Sequence, residues 1–76
     1  MAKQTKVAAH ITGTVWKIET KVGAEVNEGD VLVILESMKM EMPIEAPCSG
    51  RVLEIKVKET TPVNEGDVVV VIDEEG

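Results

Sequence analysis

The feature that most constrains this chain is an internal duplication. The string VNEGDV occurs twice, at 26–31 and at 63–68, in a chain of 76 residues. Around it, residues 13–36 (GTVWKIETKVGAEVNEGDVLVILE) align without a gap on residues 50–73 (GRVLEIKVKETTPVNEGDVVVVID). A duplication this short indicates two equivalent units that pack on each other, because neither unit could bury its apolar face alone.

The pattern within each half is typical of β-strands. In the second half, LEIKVK alternates apolar and polar residues, which predicts a half-buried strand with Leu53, Ile55 and Val57 facing inward. The first half alternates less cleanly, and Trp16 stands at the position equivalent to Leu53. We therefore expect Trp16 to face inward and to pack in the core.

Each alternating segment is followed by NEGD and then by an apolar run, VLVIL or VVVVI. NEGD is a turn signal whose glycine suits a left-handed backbone, and the chemistry of a hairpin accounts for it. The apolar runs indicate strands too buried to alternate, and no window shows a convincing 3.6-residue period. The sequence predicts an all-β sandwich or flattened barrel with approximate two-fold symmetry, formed by residues 1–76 as one domain.

Composition excludes several classes of protein. The net charge is −6 and Trp16 is the single aromatic residue, so no basic or aromatic surface is available to hold nucleic acid. The apolar runs are about five residues long, whereas a membrane helix needs about 20. The start, MAKQTKVAAHIT, lacks the apolar region of a secretory signal, and a single Cys48 cannot form an internal disulfide. We expect a soluble, cytoplasmic protein with no membrane or nucleic-acid partner.

Catalytic and metal-binding readings find little support. The NEGD turns hold carboxylates but lack the alternating ligands and terminal Glu of a calcium loop. His10 and Cys48 fall in equivalent segments of opposite halves, and two ligands do not make a zinc site. We interpret His10 as a surface residue and Cys48 as a small loop or core residue. No triad, acid/base pair or metal cluster indicates an independent enzyme.

The segment LESMKMEMP, residues 35–43, joins the two halves and places Lys39 between two methionines. The offset of the repeat carries Lys39 onto Gly76. We therefore expect Lys39 at one end of the sandwich and the chain termini at the other. SMKM lies between the apolar strand that ends near Glu36 and a short strand near 41–45, which predicts a hairpin tip with Lys39 exposed.

The methionines around this lysine are expected to differ in role. Met38 and Met40 flank the predicted tip, whereas Met42 is expected to fill the core. Methionine is unbranched and polarizable, so it packs against irregular or changing surfaces.

The segment ESMKMEMPIEAPCSG, residues 36–50, resembles the attachment motif of biotinyl domains, the carrier domains of biotin-dependent carboxylases. In that family, Ala-Met-Lys-Met lies on a tight hairpin, and an Ala-Pro and a Gly open the second half. The resemblance covers roughly residues 7–72, and in size the chain is most similar to free-standing, single-domain biotin/lipoyl attachment proteins. Ser37 stands where the family usually has Ala. The gapless repeat leaves no room for the thumb insertion of many bacterial acetyl-CoA carboxylase carriers.

The resemblance implies a barrel-sandwich hybrid of two four-stranded antiparallel sheets with the biotinyl lysine on an exposed hairpin tip. Lys39 would be acylated by a biotin protein ligase, with its ε-amine as the nucleophile. The biotin arm, on the order of 10–15 Å long, would carry carboxylate from a biotin carboxylase to a carboxyltransferase. The chain would be a carrier and not an enzyme, a monomer when isolated, and it would act by tethering.

The neighbours of Lys39 take supporting roles in this interpretation. Met38 and Met40 would form an adaptable flanking motif for several partners. Glu36 and Ser37 would belong to the hairpin, and Glu36 with Glu41 would orient the tip or repel wrong partners.

Two other functions stay open at this stage. One is a lipoyl carrier for acyl transfer in a 2-oxo acid dehydrogenase complex, with lipoate on Lys39. In lipoyl domains the lysine usually follows Asp, so Met38 and Met40 favour biotin. The other is an unmodified structural module such as occurs in membrane-fusion adaptor proteins, which normally carry helical hairpins that this sequence lacks.

Overall fold

The computed structural model describes residues 3–74, which form eight β-strands. The first four are β1 (Lys3–Ala8), β2 (Gly13–Ile18), β3 (Glu25–Val26) and β4 (Val31–Ser37). The second four are β5 (Met40–Glu45), β6 (Gly50–Ile55), β7 (Pro62–Val63) and β8 (Val68–Glu74). Between residues 3 and 74, no helix has the length and hydropathy needed to cross a membrane.

The strands form two four-stranded sheets, and all their pairings are antiparallel. One sheet has the order β1-β8-β6-β3 and the other the order β5-β4-β2-β7. We call them the first sheet and the second sheet. The predicted all-β sandwich of two four-stranded antiparallel sheets is confirmed. The strand ladders stay within each sheet, so the alternative of a closed barrel is not confirmed.

The offset of 37 residues, from Gly13 to Gly50, relates the two sheets strand by strand. It carries β1 onto β5, β2 onto β6, β3 onto β7 and β4 onto β8, with identical bounds in every case. The order β1-β8-β6-β3 becomes β5-β4-β2-β7 under the same operation. The quasi-two-fold symmetry therefore extends to β1 and β5, whose sequences KQTKVA and MEMPIE share no identity.

The core lies between the sheets and draws equivalent residues from both. Along β4 and β8, three equivalent pairs of side chains are completely buried, and Val15 on β2 and Val52 on β6 are 1% exposed. Aliphatic side chains alone fill this core, and burial of each stabilises the fold by about 1.5–3 kcal/mol. The three pairs are Leu32 with Val69, Val33 with Val70, and Leu35 with Ile72.

The inward placement predicted for Trp16 and Leu53 is wrong. Trp16 is 47% exposed and Leu53 is 38% exposed. A β-bulge on each strand is the cause: the register is irregular between Val15 and Lys17 on β2, and at the equivalent place on β6. The bulge adds one residue to the strand and so shifts the alternation of inward and outward side chains by one position. As a result, Val15 and Val52 point inward, and Trp16 and Leu53, which follow them, point outward. Ile55 and Val57 do pack against the core, as expected.

The NEGD segments form turns, but they do not close hairpins. Gly29 and Gly66 have φ of +94°, the left-handed conformation expected for them. In the first turn, the backbone N–H of Asn27 donates to Asp30 Oδ2 at 2.8 Å, and the backbone N–H of Asn64 donates to Asp67 Oδ2 in the same way in the second turn. The flanking strands β3 and β4 belong to different sheets, as do β7 and β8. The hairpin interpretation is corrected, because each turn carries the chain from one sheet to the other.

The β4–β5 connection lies at one end of the sandwich. Gly13, where β2 begins, packs on the backbone of Glu36 near the end of β4. At the other end of the first sheet, Lys3 pairs with Glu74. The predicted solvated tail DEEG is only partly described: its Asp73 and Glu74 belong to β8. Residues 75–76, including the Gly76 equivalent to Lys39, lie outside the described residues.

Candidate functional site: the β4–β5 hairpin

The β4–β5 connection is a two-residue turn with Lys39 at its second position. Ser37 pairs with Met40, which leaves Met38 and Lys39 as the turn residues. Among residues 3–74, β4 and β5 are the only strands consecutive in sequence that are also neighbours in a sheet. The turn therefore projects from the end of a single hairpin.

The backbone of this turn is left-handed at both positions. Met38 has φ of +52° and Lys39 has φ of +64°. Two-residue hairpins of type I′ require positive φ at both central residues, which is why Asn-Gly and Gly-Gly are preferred there. For residues with a Cβ atom the left-handed conformation costs roughly 1–2 kcal/mol each. The rest of the hairpin holds Met38 and Lys39 in this conformation.

The side chains at the turn are exposed. Met38 is 92% exposed and Met40 is 62% exposed, and Lys39 is exposed between them. Lys39 makes no ion pair with any residue from 3 to 74. An amine in this position can reach the active site of another protein, and a group attached to it can move freely.

Two carboxylates lie immediately behind the turn. Glu36 on β4 is directly opposite Glu41 on β5, and both side chains are exposed. No cation within residues 3–74 lies in ion-pair contact with either carboxylate. Ser37 is half-buried at the last paired position of β4. The tip therefore presents a lysine and two methionines with uncompensated negative charge behind them.

A glycine on the neighbouring strand allows the hairpin to pack closely on the sheet. A Cβ atom added to Gly13 would lie 2.7 Å from the backbone oxygen of Glu36, which is shorter than side chains tolerate. Gly50 stands in the same relation to the backbone of Asp73. The pattern of apolar residues alone assigns no role to Gly13. The signal was present, since the repeat aligns Gly13 with Gly50.

The remaining residues singled out in the sequence lie away from the turn or contribute little to it. Met42 is half-buried and lies outside the buried core cluster, so its expected core role is wrong. His10 is exposed, whereas Cys48 is half-buried against the core. Among residues 3–74, no three His, Cys, Asp or Glu side chains are grouped to hold a metal ion.

A shallow cleft of about 360 Å³ lies between the end of β2 and the start of β4. Ile18, Val26 and Val31 are among its apolar lining residues, and Glu19 and Asp30 are among its charged ones. None of the turn residues lines it, because β4 begins at the cleft and ends at the turn. The hairpin site is therefore a projecting tip and not a pocket.

The fold and the site together define a class: small two-fold β-sandwich domains that display one lysine on a tight hairpin. The family model described as "Biotin-requiring enzyme", for biotin and lipoyl domains, matches residues 3–72. The chain belongs to this family.

Individual relatives agree with this assignment. The chain is 48% identical over 40 residues to a biotin/lipoyl attachment protein of Bacillus subtilis, covering 53% of this chain and 55% of that protein. It is 49% identical over 41 residues to the pyruvate carboxylase of the same organism, covering 54% of this chain and 4% of the carboxylase. In both cases the match spans less than two thirds of the relative.

Solved structures extend the similarity to nearly the whole chain. A urea carboxylase of Kluyveromyces lactis matches with a TM-score of 0.88 and 38% identity, over 92% of this chain and 6% of the carboxylase. A single-chain, multi-domain long-chain acyl-CoA carboxylase matches with a TM-score of 0.89 and 30% identity, over 95% of this chain and 7% of that protein.

Proposed function

We propose that the chain is a biotin carboxyl carrier whose attachment residue is Lys39. The observation that supports this most directly is an exposed lysine on a two-residue turn, with no ion-pair partner among residues 3–74. Relatives that include pyruvate carboxylase and methylcrotonoyl-CoA carboxylase subunit alpha support biotin as the attached group. Residues 1–76 would form one attachment domain.

The residues of the turn suit covalent attachment. An ε-amine can form an amide with the biotin carboxyl group once it has lost its proton. Lys39 is exposed, and its neighbours Met38 and Met40 are uncharged and unbranched, so they can pack against more than one enzyme. When attached, biotin supplies the group that accepts and releases carboxylate.

The protein would contribute position and reach. The turn is held by the β4–β5 ladder, so the base of the arm is fixed while the arm itself moves. Tethering keeps the reactive group near its partner enzymes at high effective concentration. A biotin protein ligase would load the arm, and a biotin carboxylase and a carboxyltransferase would use it. Glu36, Ser37 and Glu41 would shape the surface that these enzymes meet.

Lipoate is the second candidate group, since the family includes lipoyl domains and one relative is named a biotin/lipoyl attachment protein. The methionines on both sides of Lys39 favour biotin.

The test is the intact mass of the protein after incubation with a biotin protein ligase, biotin and ATP. A parallel reaction uses a lipoate ligase, and Lys39→Arg, which keeps the positive charge, is the control in both. We expect a gain of one biotin that is absent from the control. A gain of lipoate alone would replace the biotin carrier with an acyl carrier. No gain with either ligase would refute the attachment function.

A further inference from the structure

Two of the four methionines of the chain flank Lys39, and both are open to solvent. Met38 is 92% exposed and Met40 is 62% exposed. Neither belongs to the buried core cluster or packs against it. Met42, two residues further along β5, is half-buried, and Met1 lies outside the described residues. Among residues 3–74, Met38 and Met40 therefore carry the most accessible thioethers.

The fold does not explain why these two residues are methionines. Under the offset of 37 residues, Met40 on β5 corresponds to Lys3 on β1, at the same register of its ladder. A charged residue is therefore accepted at this place in the sandwich. Met38 buries almost none of its side chain, and its φ of +52° is unfavourable for any residue with a Cβ atom. The two thioethers thus belong to the surface around Lys39 and not to the core.

An exposed thioether reacts with peroxides. The sulfur lone pair attacks one oxygen of hydrogen peroxide, an S–O bond forms, the O–O bond breaks and water leaves. The sulfur is oxidised by two electrons and the peroxide is reduced by two. The product, methionine sulfoxide, is polar and chiral, and methionine sulfoxide reductases convert it back to methionine. Because the oxidant must reach the sulfur atom, exposed methionines react before buried ones.

The two methionines are the chain neighbours of Lys39, so the Cα atom of each lies about 3.8 Å from that of the lysine. Any enzyme that acylates the ε-amine must accommodate both side chains as it approaches the tip. The unoxidised side chains offer it an apolar and adaptable surface. A sulfoxide oxygen is polar, and covering it without a hydrogen-bond donor costs free energy. Oxidation therefore opposes the approach, whichever enzyme is involved.

Oxidation at these two positions leaves the sandwich intact. Met38 lies in the turn, and Met40 is held in β5 by backbone pairing with Ser37, which an oxygen atom on the side chain does not disturb. Met42 differs, because it is half-buried and pairs with the completely buried Leu35. Oxidation limited to Met38 and Met40 changes the surface of the tip and not the fold.

We infer that Met38 and Met40 are sites of reversible oxidation by hydrogen peroxide, and that their sulfoxides slow the attachment of biotin to Lys39. This inference rests on the proposed carrier function. Reduction of the two sulfoxides restores the apolar surface and with it the rate of attachment.

The first measurement locates the oxidation. Protein without biotin is treated with hydrogen peroxide, the excess is removed with catalase, and tryptic peptides are sequenced by tandem mass spectrometry. Trypsin cleaves after Lys39, so Met38 and Met40 fall in different peptides, and fragment ions distinguish Met40 from Met42. We expect Met38 and Met40 each to gain one oxygen atom before Met42 does. Oxidation of Met42 ahead of them would contradict the inference.

The second measurement is the initial rate at which a biotin protein ligase, itself not exposed to peroxide, attaches biotin to the oxidised protein. We expect this rate to fall about tenfold, the effect of covering one unsatisfied polar group, and to recover after treatment with methionine sulfoxide reductases. The control is the double variant Met38→Leu and Met40→Leu. Its rate should be the same before and after peroxide. The variant retains Met42 and Cys48, so it reports any effect of oxidation elsewhere.

Three further results would overturn the inference: equal rates for oxidised and unoxidised protein, an equal loss of rate in the double variant, or unfolding of the oxidised protein in urea at a much lower concentration. The unoxidised protein separates these results from failure of the carrier function. If it accepts biotin on Lys39 and oxidation changes nothing, only the oxidation sites lack the inferred role. If it accepts no biotin, the carrier function fails and the inference fails with it.

Discussion

Glu36 and Glu41 lie directly opposite each other across the β4–β5 ladder, one residue pair behind the turn that carries Lys39. Like charges at opposite positions of an antiparallel pair destabilise it. No cation among residues 3–74 is in ion-pair contact with either of them. The repulsion between Glu36 and Glu41 lowers the stability of the hairpin, so folding stability does not explain why both residues are acidic. The pair is consistent with a surface shaped for contact with partner proteins.

Removing one of these charges should stabilise the protein. We expect Glu41→Gln to raise the free energy of unfolding by about 0.2–1 kcal/mol, because the repulsion with Glu36 is lost. Urea denaturation at low and high salt measures this, and the gain should shrink at high salt as the charges are screened. Glu45→Gln is the matched control, since Glu45 pairs with Val31. An equal gain in the control would show that net charge, and not the pair, is responsible.

The turn itself provides a second test. Asn tolerates the left-handed conformation better than Met, so Met38→Asn should stabilise the protein by about 1 kcal/mol. Met40→Asn, at an exposed position within β5, should give no such gain. Thermal or urea unfolding compares the two variants. If Met38→Asn were no more stable than Met40→Asn, the backbone at Met38 would carry no conformational cost.

The close packing of Gly13 against the backbone of Glu36 leads to a third prediction. In Gly13→Ala, the new Cβ atom would contact the Glu36 backbone oxygen at 2.7 Å, so β4 must shift near the tip. We expect a loss of about 1–3 kcal/mol, typical of overpacking. Amide hydrogen exchange should show faster opening of the β4–β5 hairpin. Thr14→Ala, at the next and exposed position, should leave both measurements nearly unchanged.

Much of the fold can be predicted from the sequence because the duplication preserves the apolar residues at equivalent positions of the two halves. Equivalent buried residues such as Leu35 and Ile72 recur at a fixed offset, and that recurrence predicts two packed, related sheets. The single lysine between the halves and the predicted hairpin around it also follow from this pattern. The short strand predicted near 41–45 corresponds to β5 (Met40–Glu45). The bounds of β1 could not be predicted from the repeat, since β1 is equivalent to β5 in the fold but shares no sequence identity with it.

Two features depend on geometry that a pattern of apolar residues does not contain. A bulge adds one residue to β2 and one to β6, so Trp16 and Leu53 fall on the opposite face from the one that strict alternation predicts. The NEGD signal predicts a local turn, but which strands it joins depends on pairing elsewhere. Gly29 donates to Ala46 and Asp30 accepts from Ala46, bonds that connect the turn to the segment after β5.

The bulge on β6 can be tested by comparing two adjacent residues. Val52 is 1% exposed and Leu53 is 38% exposed, so the smaller side chain should matter more. We expect Val52→Ala to cost about 2 kcal/mol, from lost burial and the cavity left behind. Leu53→Ala should cost clearly less, although it removes more atoms. Urea denaturation of both variants distinguishes a bulged β6, with Val52 inward, from a strictly alternating β6, with Leu53 inward. A larger loss for Leu53→Ala would restore strict alternation along β6, with Leu53 in the core and Val52 outside it.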